Sequence, residues 1–211
     1  MKNFILATAL LISTAAFSQK AAAVKPAAAK PSAQAAAAQP KAETTIQFLG
    51  ANGTSEFSAT GKPAMIKING KGPGPEGVLT YAGDKISGTV KVDLTKLTTE
   101  IDLRDEHMKN KYLEVQKFPM AEITFKEFKL PKAVDSITDD VEIAFTGDFT
   151  MHGKTKPISG TAKVKKSAKS ITGQAEFTIK IMEYLETLPS YAGIKVAEDV
   201  KVKIKMSGTV E

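Results

Sequence analysis

The segment DLRDEHMKNKYLEVQKF, residues 102–118, concentrates side chains that could do chemistry. Arg104 is the only arginine of the chain, and Asp105, Glu106 and His107 follow it directly. Histidine and carboxylates are the side chains most used for proton transfer and, with cysteine, for binding zinc. A catalytic or metal-binding cluster is therefore the first interpretation to test against the expected local geometry.

The acidic residues of this segment also suit a helix start. We predict that Asp102 is the N-cap of a short α-helix and that Asp105 and Glu106 lie in its first turn, where the helix dipole favours negative charge. This gives the acids a structural role without a metal or a substrate.

Helical geometry separates the histidine from the arginine. At 100° per residue Arg104, Met108 and Tyr112 form one stripe, whereas His107 lies about 60° from Arg104. The other histidine, His152, is explained by a hairpin turn, where His tolerates positive φ. We therefore predict no catalytic residue, no metal site and no cofactor.

Composition limits the class of protein. The chain has 211 residues and no cysteine, which excludes disulfides and thiolate zinc sites. Residues 1–18 resemble a cleavable signal peptide, with Lys2 and an apolar run from Phe4 to Ile12. That run is shorter than the roughly 20 residues of a membrane-spanning helix. We expect a periplasmic protein with no transmembrane span.

The charge lies partly outside the expected domain. Residues 19–43 are an Ala, Lys and Pro linker with the composition of a disordered segment. In residues 44–211, 23 Lys and Arg104 face 22 acidic residues, a net charge of +2. A nearly balanced domain argues against nucleic acid as a partner.

From Thr44 onward the hydrophobic pattern has a period of two, which is typical of β-strands. One hairpin can be aligned by hand. With a two-residue turn at His152-Gly153, residues whose numbers add up to 305 face each other. Phe145 then faces Gly160, and large side chains meet small ones throughout the inner face.

About eight such runs predict an all-β protein, an eight-stranded antiparallel barrel with the short helix packed against it. A barrel of this size either is filled by its own side chains or holds one small ligand. Because the predicted inner face carries no charge, an occupant would be hydrocarbon-like. The pattern alone leaves the filled and the hollow barrel equally open.

Two motifs resemble the YceI-like family. They are LRDEHMKNKYLEVQKFPMAEITF, residues 103–125, and FTGDFTMHGKTKPI, residues 145–158, in that order. The matched positions are Arg104, Asp105, Glu106, His107, Phe118, Pro119, Ile123, Phe125, Phe149, His152, Gly153, Thr155, Lys156 and Pro157. The chain departs from the family pattern at Tyr112-Leu113 and in residues 182–194, which we expect to shape the pocket mouth.

The resemblance implies a lipocalin-like barrel over residues 44–211, in the bacterial periplasm, with a long pocket for a polyisoprenoid or another long-chain lipid. We therefore expect a carrier that sequesters an isoprenoid or fatty-acyl lipid and is not an enzyme; the sequence leaves open whether it forms a homodimer. The predicted ligand-binding residues are Arg104, Met108, Tyr112, Ile123, Phe125, Phe145, Phe149, Phe177, Ile179, Val202, Ile204 and Met206.

Three alternatives remain. The barrel could be filled and serve as an interaction module for another envelope protein. It could be an enzyme that uses His107 with Glu106 or Asp105 as a proton-transfer pair on a bound lipid or quinone, which requires His107 to face the interior. Finally, Arg104 either caps the pocket mouth or forms a structural ion pair.

Overall fold

The computed structural model of the protein describes residues 42–63, 65–191 and 193–211. The predicted signal peptide and all but the last two residues of the predicted linker lie outside the described residues. The described residues form twelve strands: β1 Thr44–Phe48, β2 Thr54–Lys62, β3 Ile66–Pro73, β4 Glu76–Ala82, β5 Lys85–Asp93, β6 Met120–Lys129, β7 Val141–Met151, β8 Lys154–Ser167, β9 Ser170–Lys180, β10 Ser190–Tyr191, β11 Ile194–Val196 and β12 Asp199–Val210.

Helical structure is confined to short pieces. The helix α1 spans Asp102–Glu106 and continues as a π-helical turn, His107–Tyr112. Single 3₁₀ turns occur at Gly50–Asn52, Leu94–Lys96, Val134–Ser136 and Ile181–Glu183.

Eight of the strands form a closed antiparallel barrel. They follow one another in the order β1, β4, β5, β6, β7, β8, β9 and β12, and the ring closes where β12 pairs with β1. Apart from β2, β3, β10 and β11, every strand is part of this ring. The predicted fold, an eight-stranded barrel with a short helix, is confirmed.

The strand β12 has two partners along one of its edges. Its residues Lys201–Lys205 pair with β2, whereas its last residues pair with β1. The strand β3 pairs with β2, and a single bridge from Lys71 to Thr98 connects it to the segment after β5. We call this end of the barrel, which also carries the β7–β8 turn, the upper end.

The β7–β8 hairpin has the predicted register. Val141 faces Val164, and Phe145 faces Gly160. His152 occupies the turn with a φ of 52°, as expected of a residue type that tolerates the left-handed region. Because side chains alternate between faces, a slip of one residue would move Phe145 out of the core.

Gly160 has a large aromatic partner on each side. It faces Phe145 on β7 and Phe177 on β9. A Cβ at this position would lie 2.9 Å from the ring of Phe145 and would collide with the main-chain oxygen of Glu176. The Phe145 ring therefore packs into the space that a side chain at position 160 would occupy.

The lower end is closed by the loop between β6 and β7. Leu130, Val134 and Ile137 of this loop are at most 3% exposed. Main-chain hydrogen bonds from Leu130 to Asp84, 2.7 Å, and from Val134 to Gly83, 2.9 Å, fasten the loop to the β4–β5 turn. The barrel is thus plugged at this end by its own apolar side chains.

The helix differs from the prediction in two respects. Asp102 is not the N-cap: Ile101 has that position and makes no side-chain capping bond. The segment is also not one α-helix, because the amide of Leu113 donates to the carbonyl of Met108, five residues back, at 2.9 Å. A prediction from periodicity assumes a constant angle per residue along the helix. The switch from α-helical to π-helical geometry could therefore not be predicted from the sequence pattern.

Gly160→Ala should lower the free energy of unfolding by about 1–3 kcal/mol, because the new methyl group overpacks against main chain that cannot move aside. Gly173→Ala on β9 is the matched control, since the nearest heavy atom to its Cβ is 3.4 Å away. We expect this control to change stability by less than about 0.5 kcal/mol. Urea unfolding measures both, and equal stability of the two variants would contradict the packing argument.

Candidate functional site

The upper half of the barrel contains a cavity of about 340 Å³. Its wall is almost entirely apolar and combines barrel strands with the segments that cross the upper end. Ile66, which lines the cavity, is 44% exposed. Of the predicted binding residues, eight line this cavity: Arg104, Met108, Tyr112, Phe149, Phe177, Ile179, Val202 and Ile204.

The lower half contains a second, smaller cavity of about 100 Å³. The remaining predicted residues line it: Ile123, Phe125, Phe145 and Met206, with Ile204 shared between the two cavities. The structure therefore places all twelve predicted residues on cavity walls but divides them between two spaces. Their role in ligand binding stays a prediction.

A row of aromatic rings lies between the two spaces. Phe177 lines the upper cavity and Phe145 the lower one, and their rings meet edge to face with centroids 6.2 Å apart. The row continues from Phe177 to Phe149, 5.7 Å, and from Phe145 to Phe125, 6.1 Å. Edge-to-face geometry at these distances is favourable, so these four rings form a stable cluster at the boundary between the two cavities, which we call the aromatic partition.

Sequence reasoning missed much of the upper wall. Segments without a period of two supply it, between β5 and β6 and between β9 and β12. These segments contribute Leu94, Leu97, Thr99, Ile181 and Val196, which were missed, and Leu113, Leu185, Pro189, Ser190 and Ile194, which lie in the segments expected to shape the pocket mouth. The available signal was their apolar content, since irregular segments rich in Leu and Ile need a buried surface to cover.

Arg104 lines the cavity and is at the same time tied to Thr99. Its Nε donates to Thr99 Oγ1 and its Nη2 donates to the Thr99 carbonyl oxygen, both at 2.8 Å. Thr99 is only 6% exposed, so this carbonyl would be costly to leave unpaired. Arg104 therefore holds the chain before α1 in place beside the cavity.

Asp105 completes this network. Its carboxylate accepts hydrogen bonds from the Thr98 hydroxyl, 2.6 Å, the Thr99 amide, 2.7 Å, and the Thr99 hydroxyl. Partial burial acts to raise the pKa of Asp105, but the bonds from Thr98 and Thr99 together outweigh it and hold the pKa below its ordinary value. A carboxylate stabilised in its charged form is a weak base.

His107 lines the upper cavity, contrary to the expectation that it faces away from the interior. The π-helical turn starts at His107, so the angular spacing of a regular α-helix does not apply to the residues after it. Arg104, His107, Met108 and Tyr112 consequently share one wall.

Tyr112 connects the helical segment to the opposite rim. Its hydroxyl donates to the carbonyl of Ser190, 2.8 Å, and accepts from the Ser190 amide, 3.0 Å. The backbone hydrogen bond from Ser190 holds the pKa of Tyr112 below its usual value. Because Ser190 belongs to β10, this pair of bonds fastens the β10–β11 hairpin over the cavity.

The contacts of His152 give it a structural role. Its Nε2 forms a hydrogen bond with Glu114 Oε2 at 2.8 Å, and its ring packs against Phe118 with centroids 4.4 Å apart. The contact joins the β7–β8 turn to the end of the helical segment. His152 does not line either cavity.

Neither a metal centre nor a membrane-spanning helix occurs in the part of the chain that the structure describes. No three His, Asp or Glu residues there converge as metal ligands would. No helix in those residues has the length and apolar content needed to cross a bilayer.

Solved structures share this fold at low sequence identity. A polyisoprenoid binding domain from Saccharophagus degradans, implicated in plant cell wall breakdown, is 17% identical with a TM-score of 0.63, over 79% of this chain and 98% of that one. BcnA of Burkholderia cenocepacia is 16% identical with a TM-score of 0.55, over 72% and 95%. A Campylobacter jejuni YCEI protein is 18% identical with a TM-score of 0.53, over 67% and 84%.

The sequence comparisons agree with the fold. No curated protein matches the chain in sequence. The model of the YceI-like domain matches residues 35–207, which include every strand of the barrel except the end of β12. With both RDEH and the HGKTKP hairpin in their expected places on this barrel, the chain belongs to the YceI-like family.

Proposed function

We propose that the protein binds the hydrocarbon chain of one lipid, of the isoprenoid or fatty-acyl class, in the upper cavity and carries it through the periplasm. The observation that supports this most directly is the cavity of about 340 Å³ with its apolar wall. It falls in the size range of small-molecule sites, about 300–1,000 Å³. A filled barrel used only as an interaction module would have no need of this space.

Burial of the chain supplies the affinity. Each methylene group transferred from water to such a wall contributes about 0.8 kcal/mol. Ten buried methylenes give about 8 kcal/mol before the entropic cost of association, which is several kcal/mol. A cost of about 4 kcal/mol leaves about 4 kcal/mol of net binding, which corresponds to a dissociation constant of about 1 mM.

Two further observations support the proposal. A solved structure with the same fold is described as a polyisoprenoid binding domain. The first 18 residues have the pattern of a signal peptide, which supports export to the periplasm.

The proposal assigns no covalent step to the cavity. His107 lies on the wall, but the proton-transfer pair of the enzyme alternative needs a carboxylate that can take a proton. Of the two candidate carboxylates, Glu106 is exposed and does not line the cavity, and Asp105 is engaged by three hydrogen bonds that favour its charged form.

Native mass spectrometry of protein purified from bacterial envelopes without detergent tests the proposal. We expect a mass increase of one lipid per chain, because a hydrocarbon chain inside the barrel is exposed to water only when it leaves. A mass equal to the polypeptide alone, together with no uptake of added lipid, would support the filled-barrel module instead.

Ala121→Phe should abolish most of the lipid binding and leave the fold intact. Ala121 is 6% exposed and lines the upper cavity, so a phenyl ring there occupies the space of the ligand. We expect the dissociation constant to increase about tenfold or more, because a few methylene groups of the ligand can no longer be buried. Ala144→Phe, on the exposed face of β7, is the matched control and should bind like the wild type.

Arg104→Ala should lower the free energy of unfolding by about 1–3 kcal/mol, because Thr99 loses two hydrogen bonds. If the guanidinium also meets the ligand head group, as we expect, the affinity for a fatty acid falls more than that for the fatty alcohol of equal length. Arg104→Lys is the control that keeps the charge but not the two-pronged contact. An equal effect on acid and alcohol would leave Arg104 only its structural role.

A further inference from the structure

The aromatic partition limits the length of the chain that the barrel can enclose. The lower cavity adds apolar space directly beneath the upper one, but Phe145 and Phe177 lie between them, with ring centroids 6.2 Å apart and planes at 84°. A chain that enters at the upper end therefore meets the edge of a ring before it reaches the lower cavity. The plugged lower end offers no second route.

The partition is built into the strand register. Phe145, Gly160 and Phe177 stand side by side on β7, β8 and β9. The glycine in the middle leaves room for the Phe145 ring, and contacts with Phe125 and Phe149 hold the two central rings from either side. A ring packed on several sides resists rotation, since dense interiors allow few alternative rotamers.

The volumes translate into a chain length. A methylene group takes up about as much room as a water molecule, about 30 Å³ in the liquid. The upper cavity of about 340 Å³ then holds roughly eleven carbon atoms. The lower cavity of about 100 Å³ would add roughly three more.

We propose that Phe145 and Phe177 act as a chain-length stop, so that this barrel encloses about eleven carbons of a lipid and gains nothing from longer chains. The inference rests on the proposed function and specifies its ligand as a medium-length chain. A polyisoprenoid of about forty carbons would leave most of its length outside the barrel.

A homologous series of saturated fatty acids from six to sixteen carbons tests the stop. Each is measured below its micelle concentration by competition against a fluorescent apolar dye. In the wild type we expect affinity to rise about fourfold per methylene up to about eleven carbons and then to level off. An affinity that keeps rising to sixteen carbons would overturn the stop while leaving lipid binding in place.

The variant Phe145→Leu should move the break in this series by two or three carbons, because a smaller side chain joins the two cavities. Ile143→Ala is the matched control: it enlarges only the lower cavity and leaves both rings in place, so the break should stay where it is. A break at the same length in Phe145→Leu would contradict the inference.

The variant Phe177→Leu should open the same partition. It keeps the test valid if Phe145→Leu does not fold. Near-ultraviolet circular dichroism reports whether each variant keeps a packed core. No binding at any chain length in the wild type would overturn the proposed function and this inference together, whereas an unbroken rise overturns the inference alone.

Discussion

The pairing of β12 with two different strands along one edge determines the rest of the architecture. Near its end β12 pairs with β1, and the ring is closed; near its start it pairs with β2, which leads away into β3. The strand β5 already pairs with β4 and β6, so it cannot pair with β3. Among the described residues, the edge of β3 that faces away from β2 is therefore paired only through the bridge at Lys71. Loops and the helical segment must fill that opening, and the upper cavity lies behind them.

The upper wall is therefore held by specific polar contacts and the lower half by packing. Arg104 and Asp105 each bond to Thr99, and Tyr112 bonds to Ser190. Arginine suits this position better than the lysine used elsewhere in the chain, because its planar guanidinium can donate in two directions from a rigid frame. The acid and arginine that suggest catalysis in the sequence thus account for how the cavity keeps its shape.

Features of the structure that are set by residues close together in the sequence could be predicted, whereas features set by distant contacts could not. The β7–β8 register could be derived because, with a two-residue turn, only the position of the turn remains to be chosen. The pairing of Phe145 with Gly160 selects that position. The interior positions of the strands followed from alternation. The orientation of His107 could not be derived, because a π-helical turn begins there. Likewise, nothing periodic marks residues 181–196, whose contribution to the cavity depends on contacts distant in sequence.

Family membership and ligand choice depend on different residues. The structural relatives compared above are 16–18% identical to this chain, so the fold is shared although most residues differ. Backbone pairing is tolerant of side-chain identity, whereas the volume of a cavity in a barrel of this size depends on each interior side chain. Phe145 and Phe177 lie opposite a glycine that family resemblance alone would not single out. The volume of the cavities in this barrel is therefore a property of its own core packing, and barrels with the same strand order can differ in that volume.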